Sequence, residues 1–179
     1  MTMPLYRSLA ACALLALGAT ASAAQPKPIS RMERAADAIE IQNIMGRYSI
    51  YVVANKWLEG GNLFALDEPD VRQNVPAEMS GAAVRDYFVK RNADTLQPGV
   101  MHQHSFLAPL IEVAGDGKTA KGVWDSLGVD TGGGNNMANW GWVRYAIDFK
   151  KINGEWKIWH MKVLSLWVSD RPMVPRENA

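Results

Sequence analysis

The sequence has little cysteine, little histidine and no excess charge of either sign. Its 179 residues include one cysteine and three histidines, and 19 basic residues stand against 18 acidic ones. Balanced charge is not typical of nucleic-acid-binding proteins, and a hydrophobic content of 48% is too high for a disordered chain. The length suits one domain with its own core. Because histidines are so few, each is a candidate for proton transfer near neutral pH.

The first 23 residues have the pattern of a cleaved secretory signal. Arg7 is basic, residues 9–17 are apolar, and Ala21-Ser22-Ala23 fits a signal peptidase site. The apolar run is shorter than the roughly 20 residues of a membrane-spanning helix. Cys12 leaves with this segment, so the mature chain has no disulfide and no thiolate. We expect a periplasmic or secreted protein without a stable membrane anchor.

The rest of the sequence divides into an extended leader (24–30), one domain (31–168) and a C-terminal tail (169–179). Ser30 and Glu33 form an S-x-x-E capping box, and apolar residues at helical spacing follow to about Asn55. Further helical pieces are predicted at 63–66 and 80–93, with a short edge strand at 71–75.

The second half of the domain changes to alternating periodicity. Strands are predicted at 101–113, 119–129, 139–151 and 155–168, joined by turns that include Asn153-Gly154. Four successive strands joined in this way form an antiparallel meander. Helices followed by such a meander predict an α+β fold with the helices on one face of the sheet.

The last predicted strand is apolar on both faces. Strict alternation places one group of side chains on the face toward the helices: Trp156, Ile158, His160, Leu164 and Leu166. It places a second group on the outer face: Trp159, Met161, Val163 and Trp167. A sheet covered by helices on one side only is polar on the other. We therefore expect the outer face to meet a second copy in a homodimer or higher homo-oligomer. The alternative is a flap of the same chain around residues 172–175.

Several short motifs occur in a characteristic order. They are Arg47-Tyr48, Gly81 followed by Tyr87-Phe88, His104, Pro109, Ile111-Glu112-Val113, Tyr145 and Asp148, and the N-G-E-W-K-I segment at 153–158. In this order and spacing the chain resembles the SnoaL-like family of the nuclear transport factor 2-like superfamily. The resemblance covers residues 31–167. It implies a curved antiparallel sheet wrapped around a conical cavity that N-terminal helices close.

The resemblance also implies a type of chemistry. Relatives such as scytalone dehydratase and ketosteroid isomerase act on hydrophobic, ring-bearing molecules by acid–base chemistry without a cofactor. In the dehydratases a tyrosine and an aspartate of the first helix work with a histidine of the sheet. The tyrosine position falls on Tyr48 and the histidine position on His104, whereas the aspartate position falls on Val53.

Three residues are the candidate catalytic groups: His104, His160 and Tyr48. His160 alternates with Trp156 and Ile158, which in this family pack beneath the helices, so we expect it to face the cavity. His102 and His104 share a face of one strand. They are read as catalytic or substrate-binding groups, as a metal pair completed by His160, or as structural histidines. We expect neither a metal nor a cofactor, because no further ligand motif accompanies the pair.

The candidate ligand-binding residues are Tyr51, His102, Trp124, Trp142 and Tyr145. For each of these the alternative is ordinary core packing. Together the residues predict an exported protein that binds a small hydrophobic, aromatic molecule and acts as a cofactor-independent lyase, dehydratase or isomerase. The alternative function is a non-catalytic ligand-binding or assembly module.

Overall fold

The computed structural model describes residues 28–93, 102–130 and 139–169. The elements in those ranges are α1 (Arg31–Val53), α2 (Trp57–Gly61), β1 (Arg72–Gln73), β2 (Met79–Ser80), α3 (Ala82–Ala93), β3 (His102–Val113), β4 (Thr119–Asp130), β5 (Asn139–Ile152) and β6 (Glu155–Val168). The expected signal peptide and the segment around 172–175 lie outside the described residues. None of the described helices is long and apolar enough to span a bilayer.

Helix α1 begins at the predicted capping box. The Ser30 hydroxyl accepts a hydrogen bond from the Glu33 amide at 3.2 Å, and the Glu33 carboxylate accepts one from the Ser30 amide at 2.7 Å. These contacts satisfy two of the amides that a helix start leaves unpaired. The buried apolar side chains of α1 are Ile41, Ile44, Met45 and Val52. This stripe faces the sheet.

The six strands form one curved, unclosed sheet in the order β2-β1-β6-β5-β4-β3. All neighbours are antiparallel except β1 and β6, which are parallel. The predicted meander is therefore confirmed as β3 to β6. Of the predicted edge strand at 71–75, only Arg72–Gln73 forms a strand, and β2 lies outside it.

The predicted helical piece at 63–66 is wrong. The Ile158 amide donates to the Leu63 carbonyl at 2.9 Å, and the Ala65 amide donates to the Ile158 carbonyl at 2.8 Å. Phe64 thus bridges β6 in a parallel sense. Pairing with the sheet outcompetes a short helix here, because a single helical turn gains little stability by itself.

The face of the sheet toward the helices, here called the inner face, carries the core. Its buried side chains include Trp124, Tyr145, Ile147, Phe149, Trp156, Ile158 and Met161. They pack with the α1 stripe and with Val84 and Phe88 of α3. The predicted α+β architecture, with helices on one face of the sheet, is confirmed.

A bulge in β6 changes which of its side chains face inward. Ile158 pairs with Phe149, but His160 pairs with Asp148, so the intervening Trp159 is an extra residue. A bulge of this kind shifts the alternation by one residue. Met161 is consequently buried and pairs with the buried Ile147. The predicted separation of the two faces of this strand is therefore wrong beyond Ile158.

Candidate functional site

Aromatic side chains form a continuous series of ring contacts between the inner face of the sheet and the helices. Ring centroids 4.8–6.5 Å apart link neighbouring members. In order the members are His104, Tyr145, Phe106, Tyr48, Phe64, Phe88, Tyr87, Trp57 and His102. The two ends of the series, His102 and His104, lie two residues apart on β3, so their side chains point to the same face. We call these nine side chains the aromatic circuit.

His104 and Tyr145 make the polar contact of this circuit. The Tyr145 hydroxyl lies 3.1 Å from Nδ1 of His104. The two residues are on β3 and β5, and the strand between them presents the small residues Ser126 and Gly128 at this point. Small side chains on β4 therefore leave room for the contact. The backbone of His104 is held as well, since the Ser49 hydroxyl of α1 donates to its carbonyl oxygen.

Two tyrosines of the circuit, Tyr48 and Tyr145, are held in their neutral form. Burial raises the pKa of Tyr48 well above its ordinary value, and Tyr145 and Tyr87 raise it further. Burial, with a smaller contribution from Tyr87, also raises the pKa of Tyr145. Both phenols are thus protonated at neutral pH and can donate hydrogen bonds. Tyr87 was not among the predicted site residues, although its position on the apolar face of the second predicted helix is the signal for it.

Carboxylates are scarce near this site. Val53, at the position of the dehydratase aspartate, ends α1 with its side chain 42% exposed. Asp37 is the one buried carboxylate among the described residues, and it is bound by Lys151 and Trp156. The hydroxyl of Tyr145 is therefore the polar group at Nδ1 of His104, and Val53 supplies no carboxylate.

A cavity of about 170 Å³ adjoins His104. Its lining is almost entirely apolar: Gln103, His104, Gly128, Val129, Asn139, Trp140, Gly141 and Val143. Gly128 pairs with His104 of β3 on one side and with Gly141 of β5 on the other. The cavity therefore lies near one end of these three neighbouring strands. An apolar cavity beside one titratable ring is suited to a small hydrophobic ligand.

The serine on β4 is a further polar group that sequence reasoning missed. Ser126 is fully buried, and its hydroxyl has no hydrogen-bond partner. It pairs with Phe106 and Val143 on the inner face. A serine within an apolar strand gives no signal by itself, because most strand serines are solvent-facing.

His160 does not join this group. Because of the bulge at Trp159 it lies on the outer face, where its Nδ1 is 3.0 Å from Oδ2 of Asp148. Its Nε2 is 4.0 Å from Oδ2 of Asp70, and its ring stacks on Trp159 with centroids 4.0 Å apart. The expectation that His160 faces the cavity is wrong, since strict alternation does not hold across a bulge.

Of the remaining predicted residues, His102 belongs to the aromatic circuit, whereas Trp124 and Tyr51 lie outside it. Trp124 is buried on the inner face and donates to Oε1 of Gln42 at 3.0 Å. Tyr51 is half-buried beside Gly60 of α2. His102 lies near Trp57, with Nε2 3.4 Å from Nη2 of Arg91.

Trp142, a predicted ligand-binding residue, lies on the outer face and is 37% exposed, so it points away from Tyr145. The predicted metal pair also lacks its third member, because His160 is on the other face. Among the described residues, no group of three or more His, Cys, Asp or Glu side chains is placed to hold a metal ion.

One end of the outer face is apolar and exposed. Its large side chains are Leu107, Leu110, Trp140, Trp142, Leu164, Leu166 and Trp167. Trp140 and Trp167 contact each other edge to face, with centroids 4.5 Å apart. A bidentate ion pair between Arg144 and Asp125, at 2.7 and 3.1 Å, lies among them. We call these seven side chains the outer apolar patch.

The comparisons with known proteins agree with this architecture. A proposed scytalone dehydratase from Novosphingobium aromaticivorans superposes with a TM-score of 0.66 at 15% identity, over 84% of this chain and 99% of that one. A hexachlorocyclohexane dehydrochlorinase from Novosphingobium barchaimii gives 0.64 at 14% identity, over 82% and 100%. A nuclear transport factor 2-like superfamily protein from Salmonella enterica gives 0.61 at 17% identity, over 80% and 96%.

These identities establish a shared fold. The comparison with curated proteins gave no match. The profile of the SnoaL-like domain family matches residues 33–162, which include every described helix and nearly all of the sheet. The chain therefore belongs to the SnoaL-like domain family.

Proposed function

We propose that the protein binds a small hydrophobic, aromatic molecule at the aromatic circuit and transforms it as a cofactor-independent lyase, dehydratase or isomerase. The observation that carries the proposal is the contact between His104 and Tyr145 beside an apolar cavity. A titratable imidazole, two neutral phenols and an apolar wall are what acid–base chemistry on a hydrophobic molecule requires. The dehydratase and dehydrochlorinase among the structural neighbours support the same class of reaction.

In a dehydration, His104 would supply both proton transfers. His104 begins as the neutral tautomer whose Nδ1–H donates to the Tyr145 oxygen. Its Nε2 takes a proton from the carbon next to the one that bears the hydroxyl. The C–H electron pair forms the double bond, the C–O bond breaks, and the imidazolium returns the proton to the departing oxygen. Water leaves and His104 is neutral again. The hydroxyl of Tyr48 donates a hydrogen bond to a substrate oxygen that gains negative charge.

A thermal-shift screen against aromatic and terpenoid alcohols finds the ligand, and loss of water from the stabilising compounds is then followed by mass spectrometry. We expect His104→Ala to lower kcat by about 10²–10⁴-fold, the usual contribution of a general acid–base. Tyr48→Phe should cost less. His160→Ala changes a histidine of the outer face and should leave kcat unchanged. Full turnover in His104→Ala, with loss in His160→Ala, would overturn the assignment.

The second candidate function is a non-catalytic ligand-binding module. It is favoured by Val53, which leaves α1 without the carboxylate that the dehydratases place there. A module of this kind would be stabilised by ligands in the same screen and would release them unchanged. Product formation from any stabilising ligand decides in favour of the enzyme.

We further propose that the protein is exported to the periplasm or the medium. The order of Arg7, the apolar run and Ala21-Ser22-Ala23 supports this proposal. N-terminal sequencing of protein recovered from the periplasm should begin near Ala24 or Gln25. A mature chain that retains Met1, or that carries a lipid on Cys12, would contradict it.

The outer apolar patch is proposed to meet a second copy of the chain. Its seven exposed tryptophans and leucines concentrate large apolar side chains on one face of the sheet, as at protein–protein contacts. The Arg144 and Asp125 pair within it carries both signs of charge, which suits a self-complementary contact about a twofold axis.

A further inference from the structure

The floor of the cavity beside His104 consists of backbone. Gly128 and Gly141 pair across β4 and β5 and both line the cavity. A Cβ placed on Gly128 would lie 3.3 Å from the carbonyl oxygen of Gln103 and 3.7 Å from Nδ1 of His104. Any larger side chain would enter the space next to the imidazole. We call this pair the glycine floor.

The same strand shows what such a floor accommodates. Gly122 is six residues before Gly128 on the inner face of β4, and no register shift separates them. There the six-membered ring of Trp124 covers the glycine so closely that a Cβ would lie 2.3 Å from its Cη2 and Cζ3 atoms. A planar ring of the chain itself thus rests on the glycine backbone at Gly122. At Gly128 the imidazole of His104 borders the corresponding space, with Cε1 4.0 Å from the Cβ position, and the cavity lies beside both residues.

We propose that the glycine floor seats one planar, uncharged ring of the ligand, with the polar substituent of that ring directed toward His104. This inference rests on the proposed function and specifies its substrate class. The cavity volume of about 170 Å³ is below the roughly 300–1,000 Å³ of typical drug-sized sites, so it admits a single ring. Among its described residues, the lining contains no Asp, Glu, Lys or Arg side chain that could pair with a full charge, so it favours an uncharged ring.

Flatness is the property that the floor selects. A planar ring approaches backbone atoms along its whole face, whereas a puckered ring of the same size touches them only through its axial hydrogens. Dispersion attraction falls steeply with such a gap. Phenol and cyclohexanol are therefore matched probes, since both carry one hydroxyl on a six-membered ring. The fused ring system of 2-naphthol tests the size limit.

The experiment is titration of the ¹⁵N-labelled full chain with the three probes, followed through the amide signals of Gly128 and Gly141. Phenol should shift both signals upfield by its ring current, cyclohexanol should bind at least about tenfold more weakly, and 2-naphthol should not reach these amides. Gly128→Ala should weaken phenol binding by about tenfold or more, the usual size of an overpacking effect. Gly46→Ala is the matched control, because a Cβ there meets nothing within 4 Å.

The outcomes separate this inference from the proposed function. Equal affinity for phenol and cyclohexanol, or phenol binding that His104→Ala weakens but Gly128→Ala does not, would overturn the glycine floor and leave the function standing. Shifts at the two glycine amides with cyclohexanol as strong as those with phenol would also overturn it. If none of the probes binds, or if His104→Ala leaves their binding unchanged, the proposed site and the glycine floor fail together.

Discussion

Oδ1 of Asp37 lies 2.5 Å from Nζ of Lys151 and 2.9 Å from Nε1 of Trp156. The three residues belong to α1, β5 and β6, so one buried carboxylate joins the helix to two strands. Asp37 and the contact between Ser49 and His104 are twelve residues apart on α1, about 18 Å along the axis. The helix is thus held to the sheet at two points, one structural and one beside the candidate site.

Replacing Asp37 should lower the stability of the domain. Asp37→Ala removes the acceptor of the buried Trp156 indole and of the partly exposed Lys151, and we expect it to lower the free energy of unfolding by about 1–3 kcal/mol. Urea denaturation measures the change. Asp67→Ala is the control, because that carboxylate is 98% exposed in its ion pair with Arg85 and should contribute less than about 1 kcal/mol. Equal effects of the two variants would contradict the role assigned to Asp37.

Tyr145→Phe should change the imidazole of His104 without disturbing the fold. Loss of one hydrogen bond lowers the free energy of unfolding by about 1 kcal/mol. The ¹⁵N spectrum of the histidine rings should show a shift of Nδ1 of His104, while Nδ1 of His160, which faces Asp148, stays in place. Tyr51→Phe serves as the comparison. An unchanged Nδ1 signal in Tyr145→Phe would show that the phenol does not orient His104.

Trp167→Glu should convert an oligomer into monomer or aggregate. The indole is 48% exposed within the outer apolar patch, and a carboxylate there is costly to bury against a second copy. Sedimentation velocity measures the change in size. Ile39→Glu is the matched control, since Ile39 is an apolar residue on α1 that is 63% exposed. A clean monomer for the unmutated protein would show that no second copy covers the patch.

Asp70 should make folding depend on pH in the acid range. The indole N–H of Trp159 donates to Oδ1 of Asp70 at 2.8 Å and lowers the pKa of that carboxyl, and His160 and Lys150 lower it further. A carboxyl with a pKa lower in the folded than in the unfolded state stabilises the fold above its unfolded pKa, about 3.9. It loses this contribution as pH falls through the folded value.

Two variants test this dependence. Asp70→Asn should be less stable than the unmutated protein at pH 7 and should show a weaker loss of stability below about pH 4. Trp159→Phe, which removes the donor, should raise the pKa of Asp70 in a carboxyl ¹³C titration. Parallel stability curves for Asp70→Asn and the unmutated protein from pH 7 to pH 2 would be inconsistent with the assignment.

The sequence predicts regular elements better than it predicts which side chains meet. Alternation and the Asn153-Gly154 turn place the four long strands within a residue or two of their observed ends. Both turn residues adopt the positive φ that a two-residue hairpin requires, 52° and 87°. Alternation and turns depend on residues that are neighbours in the sequence, so they can be predicted from one segment alone. The bulge at Trp159 cannot be predicted in this way, because it is defined by the register between β6 and β5.

The candidate site follows the same division. Tyr48, His104 and Tyr145 are predicted and come together on the inner face, but the contact between the last two depends on Ser126 and Gly128 of the intervening strand. Trp142 and Tyr145 are three residues apart on β5. Alternation along the strand is therefore enough to predict that their side chains lie on opposite faces of the sheet. His160 had no such signal, since an extra residue in its own strand reverses its direction.

The last strand in the sequence is an interior strand of the sheet. β6 lies between β5 and β1, and its Ile158 also bonds the backbone of Leu63 and Ala65. The β1–β2 pair and Phe64 thus cannot join the long strands until residues 155–163 have been synthesised. Partners some 90 residues apart in sequence close a large loop before they gain contact energy, which slows folding. The sheet can therefore be completed only after β6 itself has emerged from the ribosome.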